Sequence, residues 1–284
     1  MTMTNNNIAI LMATYNGERY LREQIDSLLA QTYQDWHLYV HDDGSADNTV
    51  TIVKDYAEHH PDKVTLLEYP SQGGACMNFL SLMEKVEAPY YMFCDQDDVW
   101  LPNKIELSIQ AMETLQQQHP QTPIIICTDM YVVDQDLSII NNSWWNYSRI
   151  YPMYIRAFED CAATAGVTGC TMLFNHEAKD CCKPAGLKVF MHDCWVCICA
   201  LKKHGILHCI AEPLNKYRQH GGNTLGAGIS VSKMNLIYRL THIKSRYLRN
   251  KAQFNMLNLL GYGSIFKYIK YKIKYQQRIR QGKY

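Results

Sequence analysis

Three carboxylates stand within four residues, Asp95, Asp97 and Asp98, directly after the apolar segment Tyr90–Cys94. Carboxylates at the end of a buried strand can bind a divalent cation, because Mg²⁺ and Mn²⁺ prefer oxygen ligands. In a reaction that breaks a bond to a diphosphate, such a cation would neutralise the negative charge that gathers on the leaving group. Since alternate residues of an extended segment point the same way, Asp95 and Asp97 are predicted to converge and Asp98 to face away. The alternative is a capping role for Asp98 and two solvated carboxylates.

A second acidic segment, Asp42-Asp43-Gly44-Ser45, follows the apolar segment Trp36–His41. A carboxylate there can accept a hydrogen bond from a pyrimidine N3–H or a ribose hydroxyl. The polar segment Thr14–Asn16 follows another apolar run and can pack around the same nucleoside. Acidic turns before helices are also common caps, so a purely structural turn is the alternative.

Apolar segments that indicate buried strands alternate with segments of helical spacing from Ile8 to Asp129. The predicted strands are Ile8–Ala13, Trp36–His41, Val64–Tyr69, Tyr90–Cys94 and Ile124–Asp129. The predicted helices are Glu18–Gln31, Asp47–His60, Ala75–Glu87 and Lys104–Gln118. This alternation predicts an α/β fold with a Rossmann-like, mainly parallel sheet and helices on both faces. Ligands of such sheets bind beyond the carboxyl ends of the strands, which is where the polar segments lie.

After Asp129 the pattern is less regular. Residues 144–158 are predicted to form a loop or short helices. A strand at Gly169–Phe174, a helix at Asp193–His204 and a short strand at Ile206–Ile210 follow.

The composition favours one catalytic domain in a reducing compartment. With 284 residues, 47% of them hydrophobic, the chain can bury one large core. The sequence has no signal-peptide pattern and no run of about 18 apolar residues, which predicts a cytoplasmic protein. The eleven cysteines are odd in number and lie in apolar runs, so we expect reduced, buried thiols rather than disulfides.

Five motifs resemble the inverting glycosyltransferase family 2, which has the GT-A fold. They are Ala13-Thr14-Tyr15-Asn16-Gly17, Gln31-Thr32-Tyr33, Asp42-Asp43-Gly44-Ser45, Asp47-Asn48-Thr49 and Asp95-Gln96-Asp97-Asp98-Val99-Trp100. Two later motifs are similar to the bacterial rhamnosyltransferase-like branch of that family. They are His192-Asp193-Cys194-Trp195 and Tyr217-Arg218-Gln219-His220-Gly221-Gly222-Asn223.

The resemblance implies a role for each matching residue. The nucleotide would be bound by Ala13, Thr14, Tyr15, Asn16, Asp42, Asp43, Asp95 and Gln96. Asp97 would bind the metal, Mn²⁺ or Mg²⁺, with Asp95 beside it, and His220 would contact the metal or the diphosphate. Arg218 would bind phosphate. Asp193 would be the general base that takes the proton of the acceptor hydroxyl, and the alternative for it is capping of its helix.

The resemblance also implies an inverting, metal-dependent transfer of a single sugar. The donor would be UDP- or dTDP-linked, dTDP-rhamnose included, and the acceptor a hydroxyl of a glycan or a lipid-linked glycan. The setting would be the synthesis of a bacterial surface polysaccharide such as lipopolysaccharide. Two alternatives stay open. A non-catalytic sugar-nucleotide-binding or membrane scaffold module would not need Asp193, and a nucleotidyltransferase would need a glycine-rich, basic phosphate loop that Thr14–Arg19 lacks.

Charge divides the chain into two parts. Residues 1–212 hold all 27 acids against 13 Lys and Arg, whereas residues 213–284 hold 15 Lys and Arg and no acid. We therefore assign residues 1–226 to the GT-A catalytic domain and residues 227–284 to a basic, amphipathic helical tail. The acidic body and the lack of a recognition motif argue against a nucleic-acid partner.

The tail carries an apolar face and a basic face. On a helix, Tyr262, Ile265, Phe266, Ile269 and Ile273 share one side, and Lys267, Lys270, Lys274 and Arg278 gather on another. This pattern is typical of a helix that lies in an anionic membrane interface, here the inner face of the cell membrane. The alternatives are a helix docked on its own catalytic domain or on a second subunit of an oligomer.

Overall fold

The computed structural model describes residues 2–3, 7–164, 166–182, 189, 191–220 and 243–282. Side chains are described from residue 7 to 220 within these ranges and from residue 250 onward. The expected domain boundary at residues 226–227 and the glycines after His220 lie outside the described residues.

The first half of the chain alternates strands and helices as predicted, with ends that shift by a few residues. The strands are β1 (Thr2–Met3), β2 (Ile8–Thr14), β3 (Trp36–Asp42), β4 (Val64–Leu66), β5 (Val86–Glu87), β6 (Tyr90–Cys94), β7 (Val99–Trp100), β8 (Ile124–Val133), β9 (Ile139–Asn141), β10 (Met172–Asn175) and β11 (Ile206–Arg218). The helices are α1 (Leu21–Leu29), α2 (Thr49–His59), α3 (Ala75–Lys85), α4 (Lys104–Gln118), α5 (Trp144–Ser148), α6 (Phe158–Thr164), α7 (His176–Asp180), α8 (His192–Lys202), α9 (Ile243–Leu259) and α10 (Ile265–Gln281). Two 3₁₀ turns lie at Pro152–Tyr154 and Gly169–Thr171.

The large sheet is mainly parallel, which confirms the predicted fold class. Strands β4, β3, β2 and β6 lie side by side and run parallel. Strand β10 inserts antiparallel between β6 and β8, and β11 runs parallel to β8 with β7 antiparallel beside it. Strand β9 pairs with β8, while β1 and β5 form a separate pair. The direction of the strands therefore reverses next to β6, the strand that leads into the acidic cluster.

Helices cover both faces of the parallel strands. Ile8, Ile10 and Met12 of β2 join a core with α1, α2 and α4, whereas Ala9 and Leu11 join a core with α3 and α8. All five side chains are fully buried. Burial on both faces explains why β2 is a continuous apolar run rather than an alternating one. All eleven cysteines are free thiols, as expected.

Strand β11 is longer than the sequence suggested. It continues from Ile210, the predicted end, to Arg218, and its register with β8 shifts on either side of Pro213. Proline has no N–H to donate to the sheet, so the strand pattern breaks there although pairing resumes beyond it. The extension carries Arg218 and the following residues to the acidic cluster.

The two C-terminal helices pack on the body of the protein. Helix α10 buries Tyr268 and Tyr275. The Tyr275 hydroxyl accepts a hydrogen bond from the Tyr151 N–H at 2.8 Å and donates to the Tyr151 carbonyl at 3.1 Å. Arg278 forms an ion pair with Asp160, whose side chain is buried. Docking on the catalytic domain, one of the alternatives for the tail, is therefore observed.

The docked face is not the predicted apolar face. Ile265, Phe266, Ile269 and Ile273 are exposed, and Tyr262 is the member of that predicted face that is buried. Helix α10 thus has two apolar sides, a tyrosine side against the protein and an isoleucine–phenylalanine side toward solvent. Within the described ranges, no helix combines the length and the apolar character needed to cross a bilayer.

Candidate active site

The loops that follow β2 and β6 are fastened together by Gln96. The Tyr15 N–H donates to Gln96 Oε1 at 2.9 Å, and Gln96 Nε2 donates to the Tyr15 carbonyl at 3.0 Å. Gly17 leaves room for this amide, because a Cβ there would lie 2.3 Å from Oε1. The side chain of Tyr15 itself is exposed at 58%. Two of the loops predicted to bind nucleotide are therefore adjacent and held in a fixed relation.

Asp42 builds the turn after β3. Its carboxylate accepts hydrogen bonds from the Thr14 hydroxyl at 2.9 Å and from the N–H groups of Gly44 and Ser45 at 3.0 and 2.7 Å. Asn16 joins the same turn, since its N–H donates to Ser45 Oγ at 2.8 Å. Ala13, paired with His41 in the sheet, lies beneath this turn at the end of β2. The first loop and the acidic segment thus meet as predicted.

Asp43 organises the loop that precedes α3. One of its oxygens accepts from the Ser71 hydroxyl at 2.7 Å and from the N–H groups of Gln72 and Gly73 at 2.5 and 3.2 Å. The other oxygen accepts from the Gly74 N–H at 2.5 Å. Partial burial would raise the pKa of Asp43, but these four hydrogen bonds outweigh it and lower the pKa below its usual value. Asp43 is therefore an ionised anchor for residues 71–74.

The acidic cluster forms a turn rather than an extended segment. Oxygens of Asp95 and Asp98 lie within 4.8 Å of each other and of the Cys170 thiol. The prediction that Asp98 faces away from Asp95 is wrong, because residues 96–97 are in a turn where side chains do not alternate. Asp98 is fully buried and accepts hydrogen bonds from the Arg218 N–H and the Asn215 side chain at 3.2 and 3.3 Å. It joins the turn to β11 and does not cap α4, whose cap residue is Asn103.

Asp97 meets His220 across the site. Its Oδ2 lies 2.7 Å from Nε2 of His220, and the two side chains are 16% and 17% exposed. The residues are far apart in the sequence and come together because β11 extends past its bulges. The two atoms are hydrogen-bonded to each other, and together they would be a donor pair for a divalent cation.

The cluster holds more negative charge than its surroundings favour. Burial, followed by the charges of Asp97 and Asp193, raises the pKa of Asp95 to about 7. Burial, followed by the charges of Asp95 and Asp97, raises the pKa of Asp98 well above its ordinary value. A bound divalent cation would relieve this repulsion, and the carboxylate oxygens of the cluster suit Mn²⁺ or Mg²⁺.

A buried lysine behind the cluster is a site component that the sequence did not reveal. Lys104 is fully buried, and its Nζ donates to the Cys170 carbonyl at 2.5 Å and to Asn215 Oδ1 at 3.3 Å. The ammonium lies 4.2 Å above the centre of the Trp100 ring. Burial lowers the pKa of Lys104. Nothing in the sequence pattern points to Lys104, because both hydrogen-bond partners come from distant segments.

Asp193 lies in the first turn of α8 and is 9% exposed. Its Oδ2 accepts from the Gly169 N–H at 3.0 Å and its Oδ1 from the Cys194 N–H at 2.6 Å. The predicted strand at Gly169–Phe174 begins only at Met172, because Gly169–Thr171 form a 3₁₀ turn that aims the Gly169 N–H at Asp193. The residue at the cap position of α8 is Met191, so Asp193 is not its N-cap, and the bond from Gly169 fixes the Asp193 carboxylate where its charge acts on Asp95.

Arg218 is almost wholly surrounded by protein. It is 1% exposed, and Nε donates to the Asp97 carbonyl at 2.8 Å while Nη1 donates to the Gln135 carbonyl at 2.5 Å. Nη2 forms an ion pair with Glu23 of α1. The guanidinium carbon lies 4.4 Å from the centre of the Tyr20 ring. The structure therefore places Arg218 beside the acidic turn with partners from three segments.

Comparison with known proteins identifies the family. The family model described as Glycosyl transferase family 2 matches residues 9–182, more than half of the chain. The dTDP-rhamnosyl transferase RfbG of Shigella flexneri is 27% identical over 264 residues, covering 85% of this chain and 82% of that protein. The UDP-Glc:alpha-D-GlcNAc-diphosphoundecaprenol beta-1,3-glucosyltransferase WfgD of Escherichia coli is 33% identical over 105 residues, covering 37% and 40% of the two chains. The chain spans less than half the length of two other curated relatives, 44% and 37%.

A solved structure shows the same fold. The mannosyltransferase PcManGT from Pyrobaculum calidifontis, solved with GDP-Man and Mn²⁺, matches with a TM-score of 0.58 at 14% sequence identity. The match covers 99% of this chain and 89% of that one. The architecture is the GT-A fold that the motifs implied, and the family model and the relatives agree with it. The chain therefore belongs to glycosyl transferase family 2.

Proposed function

We propose that this chain transfers a single sugar, with inversion, from a UDP- or dTDP-linked donor to a hydroxyl of a glycan or lipid-linked acceptor. The observation that carries the proposal is the convergence of Asp95, Asp97, Asp193 and His220 beside the loops after β2 and β3. Departure of the diphosphate requires ligands for a metal ion, and removal of the acceptor proton requires a carboxylate base close to them. The names of RfbG and WfgD support dTDP-rhamnose and UDP-linked donors respectively.

The nucleoside would bind over the loops after β2 and β3. Oδ1 of Asp43 accepts three hydrogen bonds from the loop and Oδ2 accepts one, so a base N–H or ribose hydroxyl would donate to the remaining lone pair of Oδ2. Gly73 and Gly74 have φ of +78° and +128°, and a glycine pair can rearrange at low cost. Donor binding at Oδ2 would therefore need only a small adjustment of the loop at residues 71–74, while Gln96 keeps the first loop in place.

Asp97 and His220 would hold Mn²⁺ or Mg²⁺, with Asp95 beside them. The bound cation would neutralise charge on the leaving diphosphate. The 2.7 Å between Asp97 Oδ2 and His220 Nε2 is close to the roughly 3 Å that separates neighbouring ligands in an octahedral Mg²⁺ site. The Mn²⁺ in PcManGT supports the choice of cation.

Asp193 would be the general base. Hydrogen bonds from Gly169 and Cys194 fix its carboxylate, and each oxygen keeps a lone pair that an acceptor hydroxyl can donate to. As Asp193 takes the proton, the acceptor oxygen attacks the anomeric carbon from the face opposite the diphosphate. One bond forms while the bond to the diphosphate breaks, so the configuration inverts.

The exposed side of α10 would meet the inner face of the cell membrane. Ile265, Phe266, Ile269 and Ile273 are exposed at 45%, 80%, 48% and 53%, and Lys270 and Lys274 flank them. Exposed apolar residues flanked by lysines suit a bilayer rich in anionic lipid. A lipid-linked acceptor, the kind named for WfgD, would lie at that surface. On this proposal the enzyme is cytoplasmic and peripheral, and it acts in surface polysaccharide synthesis.

The catalytic assignment is tested by Asp193→Asn in a transfer assay with a panel of UDP- and dTDP-sugars. We expect kcat to fall by at least about 100-fold, with UDP affinity within about twofold of wild type. Asp62→Asn on the exposed surface is the control. Full activity of Asp193→Asn would remove the base assignment. A wild-type protein that transfers from no donor but still binds UDP would favour the non-catalytic module.

The membrane assignment is tested by sedimentation with phosphatidylglycerol vesicles. Phe266→Ser with Ile269→Ser should abolish sedimentation, because both side chains are exposed and neither supports the fold. Ile139→Ser, exposed at 57% on β9, is the matched control and should leave sedimentation unchanged. Equal sedimentation of both variants would contradict the membrane role.

A further inference from the structure

Each of the three nitrogens of the Arg218 side chain donates a hydrogen bond to a protein oxygen. Nε, Nη1 and Nη2 each meet a different segment, namely the acidic turn at Asp97, the turn between β8 and β9 at Gln135, and helix α1 at Glu23. At 1% exposure the guanidinium presents almost no surface to a ligand. A side chain that bound a diphosphate would need N–H groups directed at the ligand. The N–H groups of Arg218 described above are directed at oxygens of the protein instead.

The contacts of Arg218 fix both members of the donor pair. The bond from Nε to the Asp97 carbonyl holds the backbone of the residue whose side chain reaches His220. The backbone N–H of Arg218, which the Arg218→Lys variant keeps, donates to Asp98 and fixes the end of β11 two residues before His220. The ring of Tyr20 lies 4.4 Å from the guanidinium and 4.9 Å from the His220 ring, so it packs against both.

We infer that Arg218 is a positioning residue that sets the geometry of Asp97 and His220, and that it does not bind the diphosphate. The inference rests on the proposed function. Its physical reason is the planar guanidinium, which donates in three fixed directions at once, whereas a lysine ammonium is a single charged point. These three hydrogen bonds connect the Arg218 side chain to α1, the β8–β9 turn and the acidic turn. They thereby keep the side chains of Asp97 and His220 at a fixed distance from each other.

The test replaces Arg218 by lysine, which keeps the positive charge but lacks the planar guanidinium and its fixed hydrogen-bond directions. Mn²⁺ binding is measured directly from the electron paramagnetic resonance signal of free Mn²⁺, and UDP binding without metal is measured by calorimetry. Loss of a partner that orients metal ligands typically weakens metal binding by about 10–100-fold, and we expect that loss in Arg218→Lys. UDP affinity without metal should stay within about twofold of wild type. Arg22→Lys is the control, because Arg22 lies on α1 with its side chain 54% exposed.

A second variant keeps the test valid if Arg218→Lys does not fold. Glu23→Gln removes the charge of a partner whose side chain is 56% exposed, and it should weaken Mn²⁺ binding by about 3–10-fold. Normal Mn²⁺ affinity in the folded variants, or a tenfold loss of metal-free UDP affinity, would overturn the inference and favour a phosphate contact. A wild-type protein that binds no Mn²⁺ would instead remove the proposed metal site itself.

Discussion

Gly17→Ala tests how the loop after β2 is fastened to the acidic turn. A Cβ at position 17 would lie 2.3 Å from Oε1 and 2.6 Å from Cδ of Gln96, so the amide must move. That movement breaks both bonds between Gln96 and the Tyr15 backbone. Each such bond contributes about 0.5–1.5 kcal/mol, so the free energy of unfolding should fall by about 1–3 kcal/mol.

A double-mutant cycle isolates the cause. In a Gln96→Ala background the obstruction is absent, so adding Gly17→Ala should be neutral or raise the free energy of unfolding by about 0.4–1 kcal/mol. The reason is that alanine restricts the unfolded chain more than glycine does. Urea unfolding of wild type, both single variants and the double variant gives the coupling energy. A coupling energy of zero would refute the claim that Gly17 makes room for Gln96.

Two further predictions concern charge. The raised pKa of Asp95, about 7, means that the folded, metal-free protein retains a proton that the unfolded chain releases near pH 3.8. Its free energy of unfolding should therefore fall as the pH rises from about 4 to about 7, and Asp95→Asn should reduce that slope in urea unfolding, with the remaining slope due to other carboxyls of raised pKa such as Asp98. Arg278→Met leaves the buried Asp160 without its ion-pair partner and should lower the free energy of unfolding by about 3 kcal/mol. Arg280→Met, on the exposed side of α10, should change it by less than about 0.5 kcal/mol, and equal effects in thermal unfolding would contradict the docked tail.

The parallel half of the fold was predictable because its pattern is local. Each strand from Ile8 to Cys94 is an apolar run that ends in turn-forming residues, and each following helix has apolar residues at helical spacing. Elementary rules of parallel sheets then place Thr14, Asp42 and Asp95 at one edge. The structure agrees, since the Thr14 hydroxyl contacts Asp42 and Gln96 contacts Tyr15.

The remainder of the site depends on contacts between distant residues. Pro213 interrupts the strand pattern, so the sequence does not predict that β11 continues beyond it. Without that continuation, the contact between His220 and Asp97 cannot be predicted. The orientation of Asp98 depends on a turn whose dihedral angles the residue types do not determine. The side of α10 that docks on the protein was not predictable either, because tyrosines can dock through both ring and hydroxyl. Tyr275 therefore faces the protein although its helix has a more apolar side.

The most direct measurement of the central claim is calorimetric titration of UDP and dTDP, with and without Mn²⁺, into wild type and Asp97→Asn. We predict that Mn²⁺ raises the affinity of wild type for at least one nucleotide by about tenfold or more, which is about 1.4 kcal/mol. In Asp97→Asn that gain should disappear, while the metal-free affinity stays unchanged. The surface variant Asp62→Asn should retain the gain. An equal Mn²⁺-dependent gain in Asp97→Asn, or no gain in wild type, would contradict the claim that Asp97 and His220 form the metal site of a glycosyltransferase.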